Sequence, residues 1–313
     1  MAQTSVGIPV NARDRAIAFV IATYLTSGML GLMFHLAGFH LAGSQALVLG
    51  AVYMAVPLVV ALLLQPVVVK QPIREGLALH AKPNRFFVVA LLLPLLVASL
   101  SLGVALLLPG VHYAGFDGLL SRGADTLTAE QRDAARVAFN AIPIPPLLFI
   151  LMKAAAAGPT LNALVALGEE AGWRGFLYQS LRGSFYRVSL VTGLVWGVWH
   201  IPLVLMGLNT VGSTGLSIVT TIAFTMLWAP LFTYVRQRSQ SVIASSIMHG
   251  TVNASASASM LAAGSAVLVG PTAVAALLAL VVANVALFLY DTRVAKDSLI
   301  RATDVHVEAT TAA

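Results

Sequence analysis

The stretch from Gly168 to Leu181, GEEAGWRGFLYQSL, places two adjacent carboxylates and an arginine where the surrounding chain is almost wholly apolar. A carboxylate or arginine at mid-bilayer costs about 2.5–3.5 kcal/mol on the insertion scale, whereas a leucine gains only ~0.3–0.6. Glu169, Glu170 and Arg174 therefore oppose insertion by roughly 8–10 kcal/mol before any pairing. Packing does not ask for such residues. Glu170 and Arg174 stand four apart with the acid N-terminal, the favourable direction for a helical ion pair. Glu169 is left over, pointing about 100° around the helix towards the face of Trp173 and Asn162. A dehydrated, partly compensated carboxylate in that position is a candidate general base.

Two further pairs have the same spacing. In LVWGVWHIPLV, Trp196 and His200 share a helix face, with Pro202 loosening the backbone beside the histidine; in SSIMHGTVNAS, His249 and Asn253 do the same. Glu169 lies thirteen residues before Arg182, His200 thirteen after Arg187, and His249 and Asn253 eleven and fifteen after Arg238. At 1.5 Å rise per residue, all four fall about 16–22 Å from those flanking charges and can share one plane. Gly172, Gly175, Gly197 and Gly250 flank the set and would let the three helices approach closely. Taken singly, either histidine is as readily a satisfied core group as a ligand or catalyst, and Asn253, Asn162, Ser245 and Ser246 read as interhelical polar contacts. It is the shared depth that favours a site. Trp173, Trp196 and Trp199 read first as packing walls, and Lys153 as a snorkelling side chain. His35, His40, His80 and His112 fall at span ends or in loops.

The elements that must hold these residues follow from composition. The chain has 313 residues, 58% hydrophobic and 10% charged, and a mean hydropathy of +0.89, whereas soluble domains carry about 25% charged residues. Apolar windows of about 20 residues recur throughout, and no ten-residue alternation suggests a β-barrel. The expected fold is an all-α polytopic membrane bundle of about eight spans, at 16–36, 46–69, 86–108, 146–181, 188–208, 216–235, 242–261 and 271–290. The fourth is too long for one straight crossing, and Gly158-Pro159 inside it predicts a kink or a preceding re-entrant piece. Residues 1–15 form an N-terminal segment, 16–291 the bundle with its chemistry-bearing core at about 146–261, and 292–313 a polar tail expected to be a short helix fraying into disorder. The first fifteen residues lack a short apolar core and cleavage site, so the first span is expected to be retained. Basic residues occupy every second loop, which predicts cytosolic termini and explains the +6 net charge without nucleic acid. With no cysteine, disulfides, thiolate ligands and a cysteine nucleophile are excluded.

These residues resemble the CAAX protease and bacteriocin-processing (CPBP) family of intramembrane proteases, which includes the eukaryotic CAAX prenyl endopeptidases. EExxxR is matched by Glu169, Glu170 and Arg174, FxxxH by Trp196 and His200 with tryptophan in place of phenylalanine, and HxxxN by His249 and Asn253. The match runs from about Pro146 to Leu261. The resemblance implies an endopeptidase in which Glu169 and His200 activate water, His249 and Asn253 hold the oxyanion, and Glu170 and Arg174, with Trp196 beside them, support the geometry. Members have been described both as metalloproteases and as metal-independent glutamate proteases. HExxH is absent here, and a metal site would have to use His200, His249 and Glu169 with an uncommon asparagine as fourth ligand, zinc being the natural metal; no obligatory metal is the preferred expectation. The implied partners are the bilayer and a membrane-associated peptide or protein, and the alanine-rich, cysteine-free composition leans towards a bacterial inner membrane.

Other classes compete. A rhomboid-like serine enzyme lacks its GxSG turn here, and an aspartyl enzyme lacks membrane-embedded aspartates, since every aspartate falls in a loop or terminus. A proton- or ion-coupled transporter also uses buried glutamate and histidine, but spans one to three hold no counterpart of the polar cluster. A non-catalytic adaptor or bacteriocin-immunity protein on the same scaffold is a third alternative.

Overall fold

The computed structural model describes residues 11–39, 43–122 and 127–305, which are helical nearly throughout. His40, Asp125 and the EATTAA end lie outside the described residues. The helices are α1 Ala12–Leu36, α2 Gly43–Leu64, α3 Ile73–Gly76, α4 Arg85–Ala105, α5 Phe116–Arg122, α6 Ala129–Asn140, α7 Pro146–Ala157, α8 Ala163–Glu170, α9 Tyr178–Ser180, α10 Phe185–Trp199, α11 Ile201–Leu205, α12 Thr214–Ser239, α13 Val242–Ser255 and α14 Val274–Arg293. Strands β1 (His112–Tyr113) and β2 (Ala262–Ala263) pair antiparallel across one end.

Seven helices among the described residues are long and apolar enough to cross a membrane, one fewer than the sequence windows predict. The difference lies at 242–261. There α13 has 14 residues and continues as a 3₁₀ segment, Ala256–Leu261. Together these rise about 33 Å, and their ends show that they traverse the bundle. At the start, Val242 N–H bonds the Ala78 carbonyl and Ser241 Oγ–H the His80 carbonyl; at the finish, Ala114 and Gly115 N–H groups bond the Leu261 carbonyl.

The same contacts sort the loops. One end collects the 65–85 and 178–187 connections, the close of α12 and the 294–305 segment, through bonds such as Asn84 to the Arg238 carbonyl and Val305 N–H to the Gly183 carbonyl. Outside the spans, every Lys or Arg of the described residues lies there except Arg122, Arg132 and Arg136. Residues 11 and 305 share that end, since Asn11, Arg182 and Asp304 line one cavity.

Residues 294–305, after α14, are not helical. The segment folds back and docks, because Asp291, fully buried in the last turn of α14, accepts bonds from Ser298 Oγ, Leu299 N, Ile300 N and Arg238. That also corrects the placement of every aspartate in a loop or terminus. A carboxylate meeting several donors at a helix end organises chain rather than solvent. Outward faces are apolar, with Leu25, Met29, Leu63 and Leu96 each more than 60% exposed, as lipid-facing surfaces require.

Candidate active site

The fourth span is one continuous 35-residue path, Pro146–Ser180, with two widened π-turns at Gly158–Asn162 and Ala171–Leu177. Pro159 lacks an amide and crowds the preceding turn, and the helix widens there into the first π-turn. Beside it, Gly250 of α13 meets Gly158, Asn162 and Ala163 so closely that an added Cβ would fall within 2.5 Å of the Ala163 nitrogen. Asn162 Nδ2 donates to the Gly250 carbonyl at 3.3 Å, an interhelical bond of the predicted kind. Gly172 and Gly197 make equally tight room, but against Pro57 of α2 and Thr225 of α12 rather than among the three motif helices. Ser246 bonds back within its own helix to Val242, and Ser245 Oγ is buried with no hydrogen-bond partner among the described residues, so neither links described helices by its side chain.

The second π-turn begins directly after Glu170. Tyr178 N–H reaches past the Arg174 carbonyl to that of Trp173, and Arg236 Nε–H donates to the Arg174 carbonyl instead, at 2.9 Å. Arg236, predicted to follow span six as a loop residue, is buried in the last turn of α12 with its guanidinium 5.2 Å from the Tyr178 ring.

Glu170 is completely buried, and its Oε1 takes bonds from Arg174 Nη1 at 3.0 Å and His249 Nδ1 at 2.8 Å. Arg174 lies between two rings, with Cζ 4.6 Å from the Trp196 centroid and 4.3 Å from that of Phe232. Its Nε and Nη2 have no hydrogen-bond partner among the described residues, so ring faces substitute for acceptors. Glu169 Oε2 accepts the indole N–H of Trp196 at 2.6 Å and of Trp173 at 3.4 Å. Both tryptophans therefore do more than wall the core. Trp199, whose Nε1–H donates to Ser27 Oγ, is held by α1.

His200 closes α10, where Pro202 in the next turn interrupts the helix, and its Nδ1 lies 2.8 Å from the Trp196 carbonyl. That acceptor fixes the proton on Nδ1 and, in the neutral ring, leaves Nε2 with a free lone pair. Trp196 is the hub. Its ring centroid is 5.7 Å from that of His200 and 5.3 Å from that of His249, while its N–H holds Glu169. Glu169, Glu170, Arg174, Trp196, His200 and His249 thus form one cluster. Asn253, one turn beyond His249, has its side chain exposed on α13 and makes no hydrogen bond to a described residue. Lys153 is exposed on α7.

Among the described residues, no three His, Asp or Glu side chains are grouped to hold a metal ion, and Glu169 Oε2 and the Nδ1 atoms of both histidines are spent on other partners. A ligand set of His200, His249 and Glu169 would have to use the two Nε2 atoms and Glu169 Oε1. Phe232, by contrast, was not foreseen. It packs under Arg174 and 5.9 Å from His249, and its only sequence signal is Trp228 one turn earlier on a span without motif residues.

Residues 147–255 match the family described as type II CAAX prenyl endopeptidase Rce1-like. The similarity covers 109 of the 313 residues. The matched segment contains Glu169, Glu170, Arg174, Trp196, His200, His249 and Asn253. A stretch of 61 residues is 38% identical to CAAX prenyl protease 2 of Methanococcus maripaludis, covering 19% of this chain and 18% of that protein's length. Over these segments the chain is similar to CAAX prenyl endopeptidases.

Proposed function

We propose that the protein is an intramembrane endopeptidase that hydrolyses a peptide bond of a membrane-associated protein or peptide. The observation that carries the proposal is the asymmetric tethering of Glu169. Two indole N–H groups hold Oε2, while Oε1 takes no hydrogen bond from a described residue, and the His200 and His249 rings both pack edge-on against the same tryptophan. A base held by one oxygen has the other aimed and available.

In the proposed step, Glu169 Oε1, assisted by His200 Nε2, takes a proton from a water whose oxygen attacks the amide carbon. The oxyanion is received by His249 Nε2–H and the Asn253 amide. The abstracted proton then passes to the leaving nitrogen as the C–N bond breaks, giving a carboxylate and an amine. For His249 to donate through Nε2 while Nδ1–H serves Glu170, it must be an imidazolium. Glu169, Glu170, Arg174 and His249 then sum to zero charge, the arrangement a low-dielectric site favours. Asn253, one turn beyond His249 on an exposed face, would meet substrate entering from that side. The basic end is assigned to the cytosol, with the bundle in a bacterial inner membrane.

Purified protein given a labelled membrane-anchored peptide should release a shortened product. Reconstituted vesicles should show no proton or ion flux coupled to the cluster; flux without cleavage would make the chain a transporter, and neither activity would make it an adaptor.

A further inference from the structure

An open cavity of about 860 Å³ lies between α1 and α10 at the end of the bundle where the basic segments collect. Its mouth is set by Arg13, Arg182 and Arg187, all exposed, with Asn11 and Asp304 beside them. Arg182 is fixed at the rim, since Nη1 donates to the Gln179 and Leu181 carbonyls at 2.8 and 2.9 Å. Three arginines against one aspartate leave the mouth positive.

Below the mouth the character changes. Ile17 and Ile21 of α1 face Val191 and Val195 of α10, and from Arg187 to Val195 the groove descends about 12 Å. The polar group at its foot, the Tyr24 hydroxyl, already donates to the Val195 carbonyl at 2.7 Å. A peptide lying there would leave its backbone groups unpaired, at a cost of several kcal/mol each in hydrocarbon. A hydrocarbon chain leaves nothing unpaired, and an anionic head above it would meet the guanidinium cluster, which pairs well with phosphate.

We propose that this groove binds one anionic phospholipid, its phosphate among Arg13, Arg182 and Arg187 and an acyl chain between α1 and α10. The bound lipid tethers the first helix, the 181–187 connection and the docked C-terminal segment to one another.

Native mass spectrometry of the full chain in detergent, titrated with phosphatidylglycerol or phosphatidylcholine, tests this. One phosphatidylglycerol should be retained in preference to phosphatidylcholine. Each basic residue near a headgroup is worth about a fivefold change in affinity, so Arg187→Gln should weaken binding about fivefold, and the triple Arg13→Gln/Arg182→Gln/Arg187→Gln variant roughly 100-fold. Val191→Trp and, separately, Ile21→Trp fill the groove without altering charge and should also abolish retention, with unfolding temperatures confirming folded protein. Equal retention of phosphatidylcholine, displacement by inorganic phosphate at lipid-like concentration, or full retention in both tryptophan variants would overturn the proposal. Tighter lipid binding after deletion of residues 2–10 would also overturn it, because the chain's own first residues would then be the occupant.

Discussion

Glu170→Gln removes the charge at the centre of the buried cluster while keeping the shape of the side chain. Its Oε1 serves Arg174 at 3.0 Å and His249 at 2.8 Å, and all three groups are within a few per cent of complete burial. Removing one partner of such a pair costs about 3–5 kcal/mol, most of it the penalty of the charge left behind. In a chain of this size 1 kcal/mol moves the unfolding temperature by roughly 2 °C, so Glu170→Gln should lower it by roughly 6–10 °C. Arg174→Met should do about the same, since it also abandons the faces of Trp196 and Phe232. The double variant removes both members of the 3.0 Å pair and leaves unmet only the His249 contact that Glu170→Gln already disturbs, so it should fall little further than that single variant, giving a coupling of about 3 kcal/mol. Tryptophan fluorescence is a suitable probe, because all four tryptophans sit in the core around this cluster. Additive losses, with coupling under about 0.5 kcal/mol, would refute the claim that the carboxylate and guanidinium neutralise each other.

Arg236→Met removes the donor to the Arg174 carbonyl in the second π-turn; stability should drop by about 1–3 kcal/mol in thermal unfolding, and cleavage should fall with it as the Glu169–Glu170 segment loosens. Gly250→Val should give little folded protein by size-exclusion chromatography, since the first π-turn's backbone already occupies the space a side chain needs. Asn253→Ala should leave the unfolding temperature within about 1 °C, being exposed and unbonded, while kcat in the peptide assay falls about 100-fold if the amide meets the oxyanion.

The spans were legible because hydrocarbon demands about 20 apolar residues per crossing and tolerates few charges. The cluster was legible because a turn of helix brings i and i+4 together: Glu170 with Arg174, and Trp173 with Glu169, needed no tertiary knowledge. Depth counting from flanking arginines brought His200 and His249 to the same level, and their rings flank Trp196. What a third helix supplies was not legible. Phe232 and Arg236 belong to α12, whose sequence carries no motif, and only packing puts one under Arg174 and the other on its carbonyl. The short α13 was hidden because hydropathy windows do not register the change to 3₁₀ geometry after Ser255. The docked tail was hidden because its anchor, Asp291, looks like any aspartate at the end of a span.

The most direct measurement is single-turnover cleavage of a membrane-anchored peptide by wild-type protein and by Glu169→Gln, a change that keeps both indole acceptor contacts available and removes only the basic carboxylate. With unfolding temperatures matched, loss of the base should lower the cleavage rate about 10²–10⁴-fold. Cleavage by Glu169→Gln at the wild-type rate would contradict the assignment of Glu169 as the group that activates water.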